Sequence, residues 1–270
     1  MRVGILSDIH GNLAALEKAI AVLDTKRINV LVSAGDAIGY GPYPNECIDV
    51  LRDHSAVAVL GNHELHVLGR AEDHHYSARA LRTLHWTKSQ LGADQRQWLT
   101  NQPSAVEMGP MVVAHGSLDS PHEYVVRPRQ VDRQFELLQR THGDARILIL
   151  GHTHFPFLRV QGRRWTIPPL ARQRFPRGRR ILVNPGSVGQ SRQWEWSPRV
   201  RFAILDLDRS RISWFAVPYD HQRTRDALTA AALPRSAMHL RPSPWHAVKR
   251  WLRTLTDVRA AGVLPWKRPQ

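Results

Sequence analysis

Cysteine is almost absent from this chain: Cys47 is the only one in 270 residues. A lone thiol excludes an intrachain disulfide, and the expected setting is a reducing cytoplasm. Within "PNECIDVLRD", Cys47 reads as a small apolar residue on a helix. Long apolar runs are lacking too. No window is continuous enough for a membrane span. The opening "MRVGILSDIH" has too short an apolar stretch for a signal peptide and reads as a first core strand. Acidic residues are missing from two places. Arg159–Arg180 holds eight arginines and no Asp or Glu, and 235–270 holds eight basic residues against Asp257. The formal charge of +15, from 38 Lys and Arg against 23 Asp and Glu, resides entirely there. The rest is balanced at 22 basic and 22 acidic residues, a neutral body with two cationic attachments.

What is present is a β-α-β-α rhythm. Short apolar runs at Arg2–Ser7, Val30–Ala34, Val57–Leu60, Met111–Ala114, Ile147–Leu150 and Ile181–Val183 read as strands. Apolar residues at three-and-four spacing mark helices over Asn12–Asp24, Asn45–Arg52, Ala78–Gln90 and Gln130–Thr141. "RVRFAILDLD" and "RISWFAVPYD" alternate like adjoining antiparallel strands across the turn Arg209–Ser210. The class is therefore α/β, in layers. Composition shifts to Pro, Trp and Arg after Pro234, which divides the chain into 1–234 and a basic extension over 235–270.

In α/β sheets, ligands collect at the carboxyl ends of strands. Those ends here carry Asp8 and His10, then Asp36, then Asn62 and His63, then His115, then His152 and His154. A single histidine after a strand is ordinarily a satisfied turn residue. Five successive strand ends finishing in carboxylate, carboxamide or imidazole form a set. Three oxygen donors and four imidazoles suit two borderline divalent cations. An extended Asp-x-His or His-x-His would aim residues i and i+2 the same way, leaving Thr153 turned aside. Glycines at Gly35, Gly61, Gly116 and Gly151 accompany them, as where backbone crowds a site.

Taken in order, "DIHGN", "GDAIGYGP", "GNHE", "VVAHGS" and "GHTH" resemble the calcineurin-like metallophosphoesterase superfamily. The likeness reaches "NPGSVGQSR" and "FAVPYD", covering roughly Met1 to Leu233. The segment "GDAIGYGPYPNECIDVL" is similar to its small single-domain prokaryotic phosphodiesterase branch. Phosphoprotein phosphatases and symmetrical diadenosine tetraphosphate hydrolases carry Asp-Arg-Gly after Gly-Asp, where this chain has "AIGYG". The resemblance implies a four-layer α-β-β-α sandwich, two mixed sheets flanked by helices. It implies one metal held by Asp8, His10 and His154, another by Asn62, His115 and His152, and Asp36 bridging. It places His63 beside the metals, unligated.

The implied function is hydrolysis of a phosphoester, with a diester favoured. Two ions about 3.5–4 Å apart would share a water and lower its pKa, giving a hydroxide for in-line attack on phosphorus. His63 would hydrogen-bond the phosphoryl group or protonate the leaving oxygen. Mn²⁺ is the preferred ion, with Fe, Ni²⁺, Co²⁺ and Zn²⁺ compatible. Asn12 and Arg192 are candidate phosphate contacts, against helix capping for Asn12 and a solvated charge for Arg192. His74 and His75 precede a helix that covers the site in the resembled branch, a lid role against that of two exposed histidines. The Arg159–Arg180 segment, with Trp165 and Phe175, could track nucleic acid or another polyanion beside the site. Its alternative is a solvated loop. In the tail, Trp245, Val248, Leu252 and Leu255 suggest a helix that docks on the domain or meets an anionic surface. Two readings of other classes accompany the enzyme: a non-catalytic scaffold on the same fold, and an arginine-rich nucleic-acid-binding protein.

Overall fold

The computed structural model describes residues 1–163, 172–193 and 197–238. Trp165 and the expected tail helix, with Trp245, Val248, Leu252 and Leu255, lie outside them.

Two sheets form the centre. The first has the order β3-β2-β1-β10-β11-β8, built from β1 (Arg2–Leu6), β2 (Val30–Ser33), β3 (Val57–Ala58), β8 (Gln173–Arg174), β10 (Arg199–Asp206) and β11 (Arg211–Pro218). Strands β1, β2 and β3 run parallel, whereas β10, β11 and β8 are antiparallel. The second has the order β4-β5-β6-β9-β7, from β4 (Ala105–Met108), β5 (Met111–Ala114), β6 (Ile147–Ile149), β7 (Phe157–Val160) and β9 (Ile181–Asn184). Its β5, β6 and β9 are parallel, with antiparallel edges at β4 and β7. Both sheets are mixed, as the resemblance implies.

Seven α-helices occur among the described residues: α1 (Leu13–Asp24), α2 (Pro44–Asp53), α3 (Asn62–Val67), α4 (Ala78–Gln90), α5 (Ala93–Thr100), α6 (Pro128–Thr141) and α7 (His221–Ala230). None is long and apolar enough to cross a membrane. The layers follow from the period-two alternation of the strands. In β6, Ile147 and Ile149 face the space between the sheets, while Leu148 and the following Leu150 face α6 with Phe135 and Leu138. In β10, Ala203 and Leu205 face the inter-sheet core, while Phe202 and Ile204 join Leu16, Leu23, Ile48, Leu84 and Leu99 beneath the other helices. Gly4 in β1 leaves room for Leu23 and Ile28 to pack against the sheet. Each fully buried aliphatic or Phe side chain contributes roughly 1.5–3 kcal/mol.

The sheets also decide where the described ends of the arginine-rich segment go. Strand β7 starts just past His154 and runs antiparallel to β9, so Val160 pairs with Ile181, the first residue of β9. Four residues of strand carry the chain about 13 Å from where it began. Its return, β8, pairs with Arg211 and Ile212, in the row that contains Arg2 and Asp206. That row is the end of the sheet opposite the carboxyl end of β1. Its described parts, 159–163 and 172–180, adjoin the ligand candidates in sequence and lead to the far end of the sandwich in space. Phe175 packs against the inter-sheet core. Several arginines donate to main-chain carbonyls: Arg159 to Val126 (3.2 Å), Arg177 to Asp208 (2.7 Å) and Arg180 to Gly143 (3.0 Å). Beyond α7 the chain stays packed as far as described, with Leu233, Ala237 and Met238 buried and Leu233 and Met238 against Leu228.

Candidate metal centre

Asp8 follows β1, Asp36 follows β2, His115 follows β5, and Gly151–His154 follows β6. Asn62 and His63 open α3 instead of ending a strand. All seven expected donors and His63 are at most 6% exposed. His154 Nε2 lies 3.2 Å from Asp8 Oδ1 and 3.2 Å from His10 Nε2. His115 Nε2 lies 3.2 Å from Asp36 Oδ2 and 3.1 Å from Asn62 Oδ1. Asp36 Oδ2 stands between the halves, 3.9 Å from His10 Nε2 and 3.8 Å from His63 Nε2. Donor atoms of Asp8, His10 and His154 lie within 4.8 Å of one another, as do those of Asp36, His115 and His152.

The backbone corrects the expected route to this convergence. The i, i+2 pairs do not project from extended strand. Asp8 and His10 both have φ of 53°, Asp36 has 54°, and His152 and His154 have 62° and 61°. Left-handed backbone at non-glycine residues costs on the order of 1–3 kcal/mol each and persists where surrounding structure enforces it. Asp and His tolerate it better than most. The enforcement is visible: His152 N–H donates to both Asp8 oxygens (3.2 and 3.1 Å), and His10 N–H to the Asp36 carbonyl (2.9 Å). Thr153 is turned toward Asn184, whose Nδ2 donates to its Oγ1 at 3.0 Å. Two glycines are sterically required. A Cβ on Gly61 would strike the Asp36 carboxylate, and one on Gly39 (φ 83°) would strike the His63 ring.

Ring tautomers show why a cation fits. A carbonyl can only accept, so the nitrogen facing it carries the proton. His154 Nδ1 meets the Gln190 carbonyl (2.6 Å), His10 Nδ1 that of Ile38 (3.3 Å), and His115 Nδ1 that of Ala34 (2.8 Å). The Nε2 atoms of His154 and His10 are thereby left bare and face one another and Asp8, while that of His115 faces Asp36. His152 reverses this, its Nε2 meeting the His122 carbonyl (3.1 Å) and leaving Nδ1 inward. Buried acceptors gathered without protons repel, and cations between them remove that cost.

The electrostatics agree. Burial, and then the neighbouring His63, holds His10 well below the usual imidazole range. Burial, and then Arg192, lowers His154. Burial brings His152 down to about 3, further lowered by His115. Burial opposes charge on His115, but Asp36 outweighs it and raises His115 to about 9, a proton where a cation fits. Burial would raise Asp8 and Asp36, yet His154 and His115 respectively dominate and hold both carboxyls low. His63 is pushed down to about 4 by burial, and its Nδ1 is buried without a hydrogen-bond partner. Its ring lies 4.7 Å from both His10 and Tyr40.

The two candidate phosphate contacts separate. Asn12 is fully buried, and its amide is spent. Nδ2 donates to the Gly189 carbonyl (2.9 Å) and Tyr219 hydroxyl (3.0 Å), while Oδ1 accepts from Ala15 N–H (3.3 Å) and Thr224 Oγ1 (2.8 Å). It caps α1, which leaves no donor for a phosphate. Arg192 stands at the rim. Its Nη1 donates to the Tyr124 hydroxyl (3.2 Å) and its guanidinium lies 5.7 Å from that ring. Tyr124 in turn packs 4.0 Å from the His152 ring. His74 and His75 are exposed, and His75 stacks on His122 at 4.2 Å.

Glu64 has a role that composition does not announce. Buried at 1% exposure, its carboxylate accepts the N–H groups of Asp36 (2.9 Å), Ile38 (3.0 Å) and Gly61 (2.8 Å). Burial and the Asp36 charge push it up to about 7, against the Ile38 and Gly61 donors. It ties the loop after β2 to the start of α3. Its place in "GNHE" was the available signal.

Comparison with known proteins follows the same lines. The sequence profile of the calcineurin-like phosphoesterase superfamily domain matches residues 1–210. A metallophosphoesterase from Sphaerobacter thermophilus is 32% identical and superimposes with a TM-score of 0.76, over 88% of this chain and 96% of that one. A hypothetical protein from Pyrococcus horikoshii OT3 shares the fold, at 20% identity and a TM-score of 0.67, over 87% of this chain and 95% of that one. An uncharacterised protein of Methanocaldococcus jannaschii is 27% identical over 238 residues, 86% of this chain and 93% of its own. A symmetrical bis(5'-nucleosyl)-tetraphosphatase of Vibrio cholerae is 29% identical over 140 residues, about half of each chain at 51% and 52%.

Proposed function

The chain belongs to the calcineurin-like phosphoesterase superfamily, and from that premise we propose a hydrolase of phosphodiesters that works with two divalent cations. The observation that carries the reading is the facing of buried imidazole nitrogens and carboxylate oxygens, His154 and His10 against Asp8, and His115 against Asp36. Asp8, His10 and His154 would hold one cation, and Asn62, His115 and His152 the other. Asp36 lies between both groups and would be shared. When bound, such a pair supplies positive charge at the phosphoryl oxygens and a water that ionises near neutrality.

The chain's own residues do the rest. The carbonyls of Ile38, Ala34 and Gln190 fix three ring orientations, so the donor nitrogens need no reorganisation. Glu64 sets the Asp36 loop. His63, neutral at pH 7 because burial depresses it, donates a hydrogen bond to a phosphoryl oxygen, which favours that role over acid catalysis. Arg192, held beside Tyr124, meets a non-bridging oxygen at the rim. One guanidinium suits the single charge of a diester. The Vibrio relative's named activity is less well supported, since the match spans half of each chain and this chain has "AIGYG" where those hydrolases carry Asp-Arg-Gly. Mn²⁺ is the proposed ion, and Fe, Ni²⁺, Co²⁺ and Zn²⁺ suit the same donors.

The test is hydrolysis of bis-p-nitrophenyl phosphate against p-nitrophenyl phosphate with Mn²⁺, Ni²⁺, Co²⁺ or Zn²⁺. The diester should turn over faster. No turnover of either ester, with calorimetry showing the metals bound, would leave a binding protein on an enzyme's fold.

A further inference from the structure

A second set of metal-type side chains converges outside this centre. His66 lies one turn beyond His63 on α3, Asp73 opens the short 3-10 turn Asp73–His75, and His85 lies on α4. These residues come from three successive elements, yet one donor atom from each lies within 4.8 Å of the others. His66 is 5% exposed, walled by Tyr76 (ring centroids 4.9 Å apart) and His85 (5.7 Å). Its Nε2 meets Asp73 Oδ1 at 2.7 Å, and its Nδ1 is buried without a hydrogen-bond partner. Asp73 and His85 face solvent, the Asp73 side chain at 63% exposure.

A buried imidazole that reaches outward to an exposed carboxylate, with a second imidazole alongside, is a half-formed coordination sphere. Two imidazoles and one carboxylate match the donor set of mononuclear zinc sites that keep a position open for water. With imidazole nitrogens in the majority, the set selects Zn²⁺, Co²⁺ or Ni²⁺ over Mg²⁺ or Ca²⁺. We propose that His66, Asp73 and His85 form a third divalent-cation site, mononuclear and solvent-open, separate from the buried pair. It stands on its own residues and does not depend on the phosphoesterase reading. Its ion joins α3, the Asp73–His75 turn and α4 at a point beside the rim. The same turn presents His75, stacked on His122 (4.2 Å, 20°), whose carbonyl accepts from His152 Nε2. Filling the site therefore holds in place a segment that lines the approach to the centre.

Zn²⁺ titrated by calorimetry into chelator-treated full-length protein tests this directly. Wild type should bind one more equivalent than His85→Ala, and Asp73→Asn should lose the same equivalent. Because only the difference is read, the result does not depend on how many ions the buried centre takes. His85 is exposed, so its loss should leave the far-ultraviolet circular dichroism unchanged, and His54→Ala, on another surface, should keep the full stoichiometry. Imidazole-nitrogen NMR adds a second readout: Zn²⁺ should shift the His66 and His85 resonances together. Equal stoichiometry in wild type and His85→Ala, or unmoved His66 and His85 signals at saturation, would overturn the proposal and leave an ordinary His66–Asp73 ion pair.

Discussion

The two ends of this sandwich handle charge in opposite ways. At the carboxyl end of β1, carboxylates and imidazoles are buried, and Asp8, His10, Asp36, His152 and His154 have left-handed backbone. Their donors point at one another. At the other end, Arg163, Arg172, Arg174, Arg177 and Arg179 are exposed, and Arg177, Arg179 and Arg180 cap main-chain carbonyls. The first arrangement is costly unless something of opposite charge enters it. The second costs little, because most of the described guanidinium groups reach solvent. The segment begins only a few residues after His154, and one short strand, β7, carries the chain from that end toward the other. Adjacency in sequence says little about adjacency across a strand.

If the buried end is a cation site and the far end is not part of it, substitutions should rank accordingly. Asp36→Asn should have the largest effect, removing the shared carboxylate. Turnover should fall by about a thousandfold or more with at least one metal equivalent lost, since metal charge supplies several kcal/mol of barrier lowering. Retained stoichiometry by calorimetry would break the assignment. His63→Asn should keep both metals and cost about 10²–10³ in kcat, the usual loss for one transition-state donor. An unchanged kcat with metals bound removes His63 from the reaction. Glu64→Gln touches neither metal nor substrate in this reading. It should cost about 10–100-fold in metal affinity or activity, as for groups that orient ligands, because one carbonyl oxygen cannot serve three N–H donors. Chelation sharpens the same contrast in stability. Cations at a hundred times their Kd add about 2.7 kcal/mol, so stripping them should lower Tm by about 5–10 °C. Arg179→Ala at the far end should change turnover less than twofold. A large loss there would show that the two ends are coupled.

Much was legible without coordinates. Strands β1, β5 and β6 and helix α4 were readable from period two and period 3.6, because their burial is one-sided or complete. The start of α3 was not, since "GNHE" contains no apolar stripe and its helix is held by Glu64 accepting N–H groups across a loop. The candidate donors could be named because imidazoles and carboxylates gathered after successive apolar runs have no common structural use. Asn12 read as a phosphate contact or a cap, and only the positions of Tyr219, Thr224 and Gly189 decided for the cap. Those partners lie about two hundred residues away in the chain.

The order of residue types along the chain was enough to determine the layered α/β class, the identity of the polar residues at strand ends and the location of the excess charge. These depend on periodicity and composition, which are local. Tertiary structure decided how the candidate donors meet, which ring nitrogens face inward, which candidate is spent on a helix cap, and where the described arginines go. Those depend on strand direction and on backbone torsions enforced by distant hydrogen bonds. A strand's side chains can be read from its alternation, but its destination is set by the strand it pairs with.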